Sequence, residues 1–218
     1  MMDLFSVDCV FVTILGYPMS YLEFSGTCFY LWSVWLVTQR RMLTWPVGIV
    51  GVLLFMTLFY QIRLYSDTVE QIYYLAASFY GWWYWSQDRP KVRREICVSF
   101  SSVGTMIFWG GITALLSAFL GWSMGKAHLW VPTAIEAPAS YPYIDALTTV
   151  MSFTAMLLMA RRRIESWIYW IVVDVIGIWL YFIKDVRFIS LLYCLLLVLA
   201  VKGFIMWFKD RGGNEHGD

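Results

Sequence analysis

The chain has 218 residues, of which 60% are hydrophobic, 19% aromatic and only 14% charged, and its net charge is +1. Soluble domains carry about 25% charged residues, so this composition, with a mean hydropathy of +0.63, excludes an ordinary soluble domain. It predicts an integral membrane protein whose partner is the lipid bilayer. The near-zero net charge gives no support to a nucleic-acid partner.

The N-terminal segment, residues 1–19, precedes the first long apolar stretch. Asp3 and Asp8 stand where a cleaved signal peptide carries basic residues, so we do not interpret this segment as a signal peptide. We predict instead that Met1 to about Leu15 forms a short amphipathic helix at the membrane interface.

Seven stretches are long and apolar enough to form membrane-spanning helices, each of which needs about 20 residues. They predict an all-α membrane protein. The predicted helices cover residues 20–38, 44–65, 68–86, 95–124, 141–160, 164–183 and 187–208. The fourth is followed by a predicted loop, 125–140, and the seventh by a predicted disordered tail, 209–218.

Lysine and arginine are concentrated in segments that would share one side of the membrane. Eleven lie between helices 1 and 2, 3 and 4, and 5 and 6, and in the tail, whereas four lie in the other loops. Because cytoplasmic loops carry an excess of basic residues, this bias predicts an outer N-terminus and a cytoplasmic C-terminus. The predicted location is the inner (plasma) membrane, crossed several times.

The two halves of the chain repeat each other at a shift of 122 residues. The matching pairs are Tyr21 and Tyr143, Glu23 and Asp145, Thr27 and Thr149, Arg40 and Arg162, Arg41 and Arg163, Trp45 and Trp167, Gly81 and Gly203, and Trp85 and Trp207. We predict two parallel three-helix repeats, residues 20–86 and 141–208, joined by a linker, 87–140, that contains helix 4. Transporters with parallel repeats hold their substrate near the midplane, between the repeats.

A carboxylate, Asp174, lies in the middle of the sixth apolar stretch, WIYWIVVDVIGIWLYF. A charge at that depth costs about 2.5 kcal/mol or more. Asp174 either faces a polar cavity and binds a substrate, or it is the structural partner of a buried polar side chain. The shift of 122 pairs it with Val52, so the repeat does not require an acid there, and we favour substrate binding.

Polar residues also run along helix 3. Glu70 and Gln71 lie in its first turns, and Tyr74 and Ser78 follow Gln71 at i+3 and i+7, where they share one face. We interpret this stripe as a wall of the substrate site. Hydrogen bonding between helices is the alternative, and a carboxylate such as Glu70 also suits a helix start.

Two further groups of residues are candidates for the transport path. Glu23 and Asp145 lie near the outer ends of helices 1 and 5, as structural caps or as parts of an outer gate. Trp109, Trp170 and Trp179 lie deeper and could stack on a flat or cationic ring, with plain helix packing as the alternative.

The sequence carries no catalytic or metal-binding signature. It contains no HExxH, GxSxG, phosphate-binding loop or dinucleotide fingerprint, and no CxxC or Cys/His cluster. We therefore predict that the protein is not an enzyme and uses no cofactor or metal.

The stretch TWPVGIVGVLLFMTLFYQIRLYSDTVEQIYYLAASFYGWWYW, with the Asp145 region and WIYWIVVDVIGIWLYF, resembles the signature of PnuC-type vitamin transporters. The resemblance runs from about Tyr21 to Trp207. It implies the 3+1+3 helix arrangement, similar to full-length SWEET sugar transporters. It also implies uptake of nicotinamide riboside, thiamine or riboflavin by facilitated diffusion, with trapping by a cytoplasmic vitamin kinase. The oligomeric state stays open.

Departures from the family pattern direct the substrate prediction. Nicotinamide riboside members tend to carry Leu, Asn and Asn where this chain has Glu70, Ser78 and Asp174, whereas Gln71 matches them. The aminopyrimidine of thiamine offers an amino group and a ring nitrogen that carboxyl groups can bind. We predict thiamine as the substrate, with nicotinamide riboside as the alternative. A proton-coupled symporter and a receptor without transport are the two competing classes.

Overall fold

The computed structural model describes residues 6–7, 9–14, 16–87, 97–130 and 141–211, and within these ranges it contains one hairpin and seven helices. The helices are α1 (Tyr21–Thr38), α2 (Thr44–Gln61), α3 (Tyr65–Gln87), α4 (Val103–Trp130), α5 (Pro142–Ala160), α6 (Ser166–Ile183) and α7 (Arg187–Asp210). This order confirms the helical fold predicted from the apolar stretches. Helix α2 ends four residues earlier than predicted, and α3 starts three residues earlier.

The N-terminal segment forms a β-hairpin, so the predicted interfacial helix is wrong where the structure describes it. Strands β1 (Val10–Ile14) and β2 (Tyr17–Ser20) pair antiparallel. Strand β1 consists mainly of β-branched residues, which favour strands, and Gly16 after it has a φ of 81°, which glycine adopts without strain. Residues 1–5, 8 and 15 lie outside the described residues.

Helix α4 is displaced along the sequence from its predicted position, 95–124. It begins at Val103 because Ser102 Oγ accepts a hydrogen bond from the Thr105 N–H at 3.3 Å and caps the helix. It continues to Trp130, so residues 125–130 of the predicted loop are helical. The rest of that loop, and the tail from residue 212, lie outside the described residues.

The residues before α4 are fixed against the α5–α6 turn. The Ser99 N–H donates to the Arg162 carbonyl at 3.2 Å, and the Ile164 N–H donates to the Ser99 carbonyl at 3.1 Å. The start of α4 therefore lies at the same end of the bundle as the α5–α6 turn.

Four tight turns reverse the chain between consecutive helices. Each contains a non-glycine residue with a left-handed φ: 55° at Arg40, 62° at Arg63, 61° at Arg162 and 57° at Asp185. L-residues rarely adopt this conformation. Arg40 and Arg162 are 122 residues apart, as are Arg63 and Asp185, so the turns recur at the spacing of the sequence repeat.

The bundle has two chemically different ends. We call the first the basic end; it carries the α1–α2 and α5–α6 turns with their arginines, the start of α4 and the end of α7. We call the other the hairpin end; it carries the β-hairpin and the α2–α3 and α6–α7 turns. Because the helices are apolar between these ends, the two ends correspond to the two membrane surfaces.

Four buried tryptophans form the core at the basic end, where no ring is more than 4% exposed. They are Trp45 of α2, Trp85 of α3, Trp167 of α6 and Trp207 of α7. The ring centroids are 5.1 Å apart for Trp45 and Trp85, 6.3 Å for Trp85 and Trp207, and 5.5 Å for Trp167 and Trp207. This row of rings joins α2 and α3 to α6 and α7.

Helices α2, α4, α5, α6 and α7 are long and apolar enough to cross a membrane, which together with the helical fold confirms the multi-pass membrane class. Helices α1 and α3 are less apolar because they carry polar side chains such as Tyr30, Glu70 and Tyr74. In the packing, α1 contacts α2 and α7, whereas α5 contacts α3, α4 and α6. The α1–α7 and α3–α5 contacts therefore join the first three helices to the last three.

Candidate functional site

Eight polar side chains from five helices come together inside the bundle, and we call them the central cluster. Its members are Tyr30 of α1, Glu70 and Tyr74 of α3, Thr149 and Ser152 of α5, Asp174 and Tyr181 of α6, and Tyr193 of α7. Ionisable groups inside a membrane protein are costly, and they mark substrate or ion pathways. The cluster is therefore the candidate functional site.

Asp174 is the acid at the centre of this cluster, and it is only 3% exposed. Its carboxylate interacts electrostatically with Tyr30 of α1 and with Tyr193 of α7. One phenol comes from α1 and the other from α7, so helices from both halves of the chain contribute groups that interact with this carboxylate. Such a group can attract a cation and accept hydrogen bonds, while the phenols can donate or accept.

The contact between α3 and α5 forms a second side of the site. Thr149 Oγ1 donates to Glu70 Oε1 at 3.3 Å, and the hydroxyls of Tyr74 and Ser152 form a hydrogen bond. These bonds hold two polar side chains of α3 against α5. Among the described contacts, only one oxygen of the Glu70 carboxylate is used, so the other is available to accept a hydrogen bond.

An aromatic wall lines the side formed by α6 and α7. The rings of Tyr181 and Tyr193 stack with centroids 5.5 Å apart and an interplanar angle of 18°. Gly177 allows this approach, because a Cβ at that position would lie 2.5 Å from Tyr193 Cδ1. The glycine in the middle of α6 therefore has a packing role, because it makes room for the Tyr193 ring against this helix.

Of the predicted substrate-binding residues, Glu70, Tyr74 and Asp174 lie in the central cluster. Gln71 is half-buried next to Glu70, and Ser78 is 2% exposed one turn from Tyr74. The structure places both on the helix that lines the site. Their contact with a substrate stays a prediction.

The three predicted tryptophans do not join the cluster. Trp109 of α4 lines a separate cavity with Glu165 and Tyr169 at the basic end, and Trp170 packs against the tryptophan core. Trp179 is 47% exposed. The placement of Trp170 agrees with helix packing, the alternative that the sequence left open, and contact of the three tryptophans with a substrate stays a prediction.

Glu23 and Asp145 lie at the hairpin end, as the sequence repeat predicts. Tyr17 of the hairpin donates its hydroxyl to Glu23 Oε1 at 2.9 Å, and the Glu23 N–H donates to Ser20 Oγ at 3.1 Å. Burial, followed by the hydrogen bond to Glu23, raises the pKa of Tyr17 to about 12. Asp145 interacts electrostatically with Tyr181 of the central cluster.

Sequence reasoning missed five members of the cluster: Tyr30, Thr149, Ser152, Tyr181 and Tyr193. The repeat contained a signal for four of them, and one of these, Thr149, is the match of Thr27. At the shift of 122, Tyr30 meets Ser152 and Gln71 meets Tyr193, so polar residues occupy equivalent places in both halves. Tyr181 is not marked by the repeat, and no local pattern distinguishes it from an interfacial tyrosine.

The fold and the central cluster define the class of protein. It is a multi-pass helical membrane protein with a buried polar site between its helices, as in membrane transporters. Residues 20–209 match the family model described as nicotinamide mononucleotide transporter. The chain is 30% identical to the nicotinamide riboside transporter PnuC of Escherichia coli (strain K12), with 98% of each chain covered. It is 26% identical to the riboflavin/roseoflavin transporter RibM of Streptomyces davaonensis, over 78% of this chain and 76% of that one.

A solved structure shares the fold. The crystal structure of the vitamin B3 transporter PnuC aligns with a TM-score of 0.69 at 20% identity, over 90% of this chain and 83% of that chain. The chain therefore belongs to the PnuC-type vitamin transporter family, and the resemblance noted in the sequence is confirmed. Members of this family are transporters and not enzymes, as predicted.

The preference for thiamine gains no support from these relatives. The compared proteins are named for nicotinamide riboside, vitamin B3 or riboflavin. Nicotinamide riboside, the alternative, fits the relatives at least as well. The thiamine prediction rested on Glu70, Ser78 and Asp174, three positions at which this chain differs from nicotinamide riboside members. The match to the family, by contrast, covers nearly the whole chain.

Proposed function

We propose that the chain takes up nicotinamide riboside across the inner membrane by facilitated diffusion, through the central cluster. The observation that carries the proposal is the burial of Asp174, whose carboxylate interacts electrostatically with Tyr30 of α1 and Tyr193 of α7. A carboxylate in apolar surroundings is retained at a considerable cost in free energy, which a cationic substrate offsets. A cytoplasmic kinase then traps the vitamin inside the cell.

The chemistry of the site suits a pyridinium nucleoside. The flat cation can lie against tyrosine faces, which attract cations, while Asp174 supplies the opposite charge. The stacked pair of Tyr181 and Tyr193 provides such faces from α6 and α7. Glu70 and Gln71 on α3 are proposed to bind the hydroxyls of the ribose, since carboxylates and amides accept hydrogen bonds from hydroxyl groups.

The proposed architecture is the 3+1+3 plan, with repeats at 20–86 and 141–208 and a linker at 87–140 that contains α4. The left-handed turns at Arg40 and Arg162, and at Arg63 and Asp185, support it because each pair is 122 residues apart. The α1–α7 and α3–α5 contacts are equivalent under the same shift. The proposed orientation has the basic end in the cytoplasm, in accordance with the bias of lysine and arginine.

Thiamine remains a second candidate because two observations favour it. Glu70 and Asp174 are carboxylates at positions where nicotinamide riboside members tend to carry Leu and Asn, and both lie in the central cluster. Carboxyl groups suit the amino group and ring nitrogen of an aminopyrimidine. Both candidates are organic cations, so charge does not distinguish them.

The test is counterflow of labelled vitamin in proteoliposomes that contain the purified chain and no kinase. The proposal expects labelled nicotinamide riboside to enter vesicles preloaded with unlabelled nicotinamide riboside, and thiamine to compete weakly. Counterflow of thiamine, without competition by nicotinamide riboside, would replace the first candidate with the second. Uptake driven by an imposed proton gradient and abolished by a protonophore would identify a symporter instead.

A further inference from the structure

Two adjoining cavities lie at the basic end, away from the central cluster, where α4 packs against α5 and α6. The first has a volume of about 290 Å³ and is lined by Ser101, Ser102, Thr105, Arg161 and Arg163. The second has a volume of about 170 Å³ and is lined largely by apolar side chains. The two cavities share the lining residues Trp109 and Leu158, so they adjoin each other. We call them together the groove, with the first cavity as its polar head and the second as its apolar tail.

The polar head is held in place by hydrogen bonds. Arg163 Nη1 donates to Ser99 Oγ at 2.8 Å and to the Phe100 carbonyl at 3.3 Å. The Ser102 and Thr105 hydroxyls lie 2.9 Å apart. A guanidinium carries five N–H donors. Both of these bonds use Nη1, so among the described contacts the other nitrogens of Arg163 are available to a ligand.

The apolar tail runs from this head into the membrane-spanning part of the bundle. Met106, Trp109, Ile168 and Tyr169 line it. The neighbouring surface of α4 is also apolar: Val103 and Ile107 are 72% and 70% exposed. The exposed apolar surface of α4 therefore adjoins the groove on the side that faces the bilayer.

We propose that this groove binds an anionic phospholipid, with the phosphate between Arg161 and Arg163 and an acyl chain along Met106 and Ile168. Arginine forms paired hydrogen bonds with phosphate oxygens, and basic pockets between membrane helices on the cytoplasmic side bind anionic headgroups. The serine and threonine hydroxyls add donors to the same phosphate. The site is independent of the vitamin and of its transport.

Glu165 bears on the choice of headgroup because it lines the apolar cavity and is 6% exposed. Its carboxylate oxygens accept hydrogen bonds from the Ser101 N–H at 3.2 and 3.3 Å. This interaction holds the acid against the backbone that leads into α4. Two arginines against one carboxylate leave the groove with an excess of positive charge, which favours phosphatidylglycerol over a zwitterionic lipid.

The experiment measures lipids that stay bound to the purified full chain by native mass spectrometry. The protein is exchanged into detergent with phosphatidylglycerol, phosphatidylethanolamine or phosphatidylcholine of identical acyl chains. We expect retention of one phosphatidylglycerol, with little retention of the other two lipids. Equal retention of all three, or preference for phosphatidylethanolamine, would overturn the proposal.

Two variants test the polar head and the apolar tail of the groove separately. Arg161→Gln should weaken phosphatidylglycerol binding about fivefold, the factor that corresponds to about 1 kcal/mol for one arginine at a membrane surface. Met106→Trp fills the apolar tail and should weaken binding without changing the charge. The control is Arg187→Gln, an exposed arginine at the hairpin end, which should leave phosphatidylglycerol retention unchanged.

Two further outcomes would contradict the assignment. If glycerol phosphate without acyl chains displaces the bound lipid as well as phosphatidylglycerol does, the groove is a site for soluble phosphate. If Met106→Trp changes the oligomeric state in size-exclusion chromatography, the groove is an interface between copies of the chain. Native-like thermal unfolding of each variant establishes that lost binding does not reflect misfolding.

Discussion

Trp85 and Trp207 lie 122 residues apart in the chain, and each donates its indole N–H across the bundle to a helix of the other half. Trp85 Nε1 lies 3.0 Å from the carbonyl oxygen of Ala160, in the last turn of α5. Trp207 Nε1 lies 3.1 Å from the carbonyl oxygen of Val37, in the last turn of α1. The Ala160 carbonyl lies at a helix end, where carbonyls lack intrahelical partners, and the Trp85 indole satisfies it. The Val37 carbonyl also accepts from the Arg40 N–H at 2.9 Å, so the Trp207 indole is its second donor.

Two arginines make reciprocal contacts beside the tryptophans. Arg40 and Asp210 form an ion pair at 2.7 Å, which joins the α1–α2 turn to the end of α7. Arg162 Nη2 donates to the Tyr84 carbonyl at 2.8 Å, which joins the α5–α6 turn to the end of α3. The basic end is therefore closed by two similar sets of contacts, one on each side of the tryptophan core.

Replacing Trp85 with phenylalanine should destabilise the fold. The change leaves the buried carbonyl of Ala160 without its donor, which costs about 1–3 kcal/mol. The measurement is the midpoint of thermal unfolding in detergent. Trp32→Phe is the matched control because Trp32 is 44% exposed on α1, and it should lower the midpoint much less. Equal losses in both variants would show that the hydrogen bond to Ala160 contributes no stability.

Gly81 and Gly203 should not tolerate alanine. A Cβ on Gly81 would overlap the ring of Trp45, and one on Gly203 would overlap the ring of Trp167. Overpacking of this kind costs about 1–3 kcal/mol, so each variant should unfold at a lower temperature than the wild type.

The control for these two variants is Gly111→Ala on α4, where nothing lies within 4 Å of the added Cβ. Alanine favours a helix over glycine by about 1 kcal/mol, so this variant should be as stable as the wild type or more so. A loss of stability equal to that of Gly81→Ala would contradict the packing explanation.

Asp174→Asn should impair transport without unfolding the protein. The amide keeps the shape of the side chain but removes the charge, and a hydrogen bond to a charged group is worth about 1.5–3 kcal/mol. We expect the affinity for the cationic vitamin to fall by about tenfold or more, measured by counterflow at several substrate concentrations.

Asp185→Asn makes the same chemical change outside the central cluster. Asp185 is exposed in the α6–α7 turn, and asparagine tolerates the left-handed φ found there. Transport by this variant should equal that of the wild type. Unchanged transport by Asp174→Asn would remove Asp174 from the substrate site.

The fold was readable from the sequence because helix length and apolar composition are local properties. The boundaries of α1, α5, α6 and α7 fall within two residues of the predictions. The start of α4 was predicted too early, because Ser99 pairs with the distant α5–α6 turn instead of extending the helix toward residue 95. The hairpin was also missed. The β-branched residues and Gly16 favour a hairpin, but the segment is short, and it was interpreted as an amphipathic helix instead.

The site was predicted only in part, and the reason is physical. Asp174 and Glu70 stand out because an acid in an apolar helix is expensive. Tyr30 and Tyr193 do not, because tyrosine is common in membrane proteins and the lipid-facing and interior faces of such helices are both apolar. Trp179 was predicted to reach the site but is 47% exposed. The rotation of α6 about its axis in the bundle determines which of its side chains face the interior, and the sequence does not show that rotation.

Tyr17→Phe should remove a pH dependence of stability at the hairpin end. The pKa of Tyr17 is raised to about 12 from an ordinary value of about 10, so the folded protein favours the protonated phenol. The stabilisation by Tyr17 is therefore fully present below pH of about 10 and is lost as the pH rises through about 12. The hydrogen bond to Glu23 joins the hairpin to α1 throughout the lower range.

The measurement is thermal unfolding of the wild type and of Tyr17→Phe from neutral to alkaline pH. The wild type should be the more stable protein at neutral pH, and the difference between the two should shrink as the pH rises from about 10 to about 12. Tyr60→Phe is the control, since Tyr60 is 65% exposed, and it should follow the wild type at every pH. A difference between wild type and Tyr17→Phe that stays constant across this range would show that Tyr17 is stabilised by packing alone.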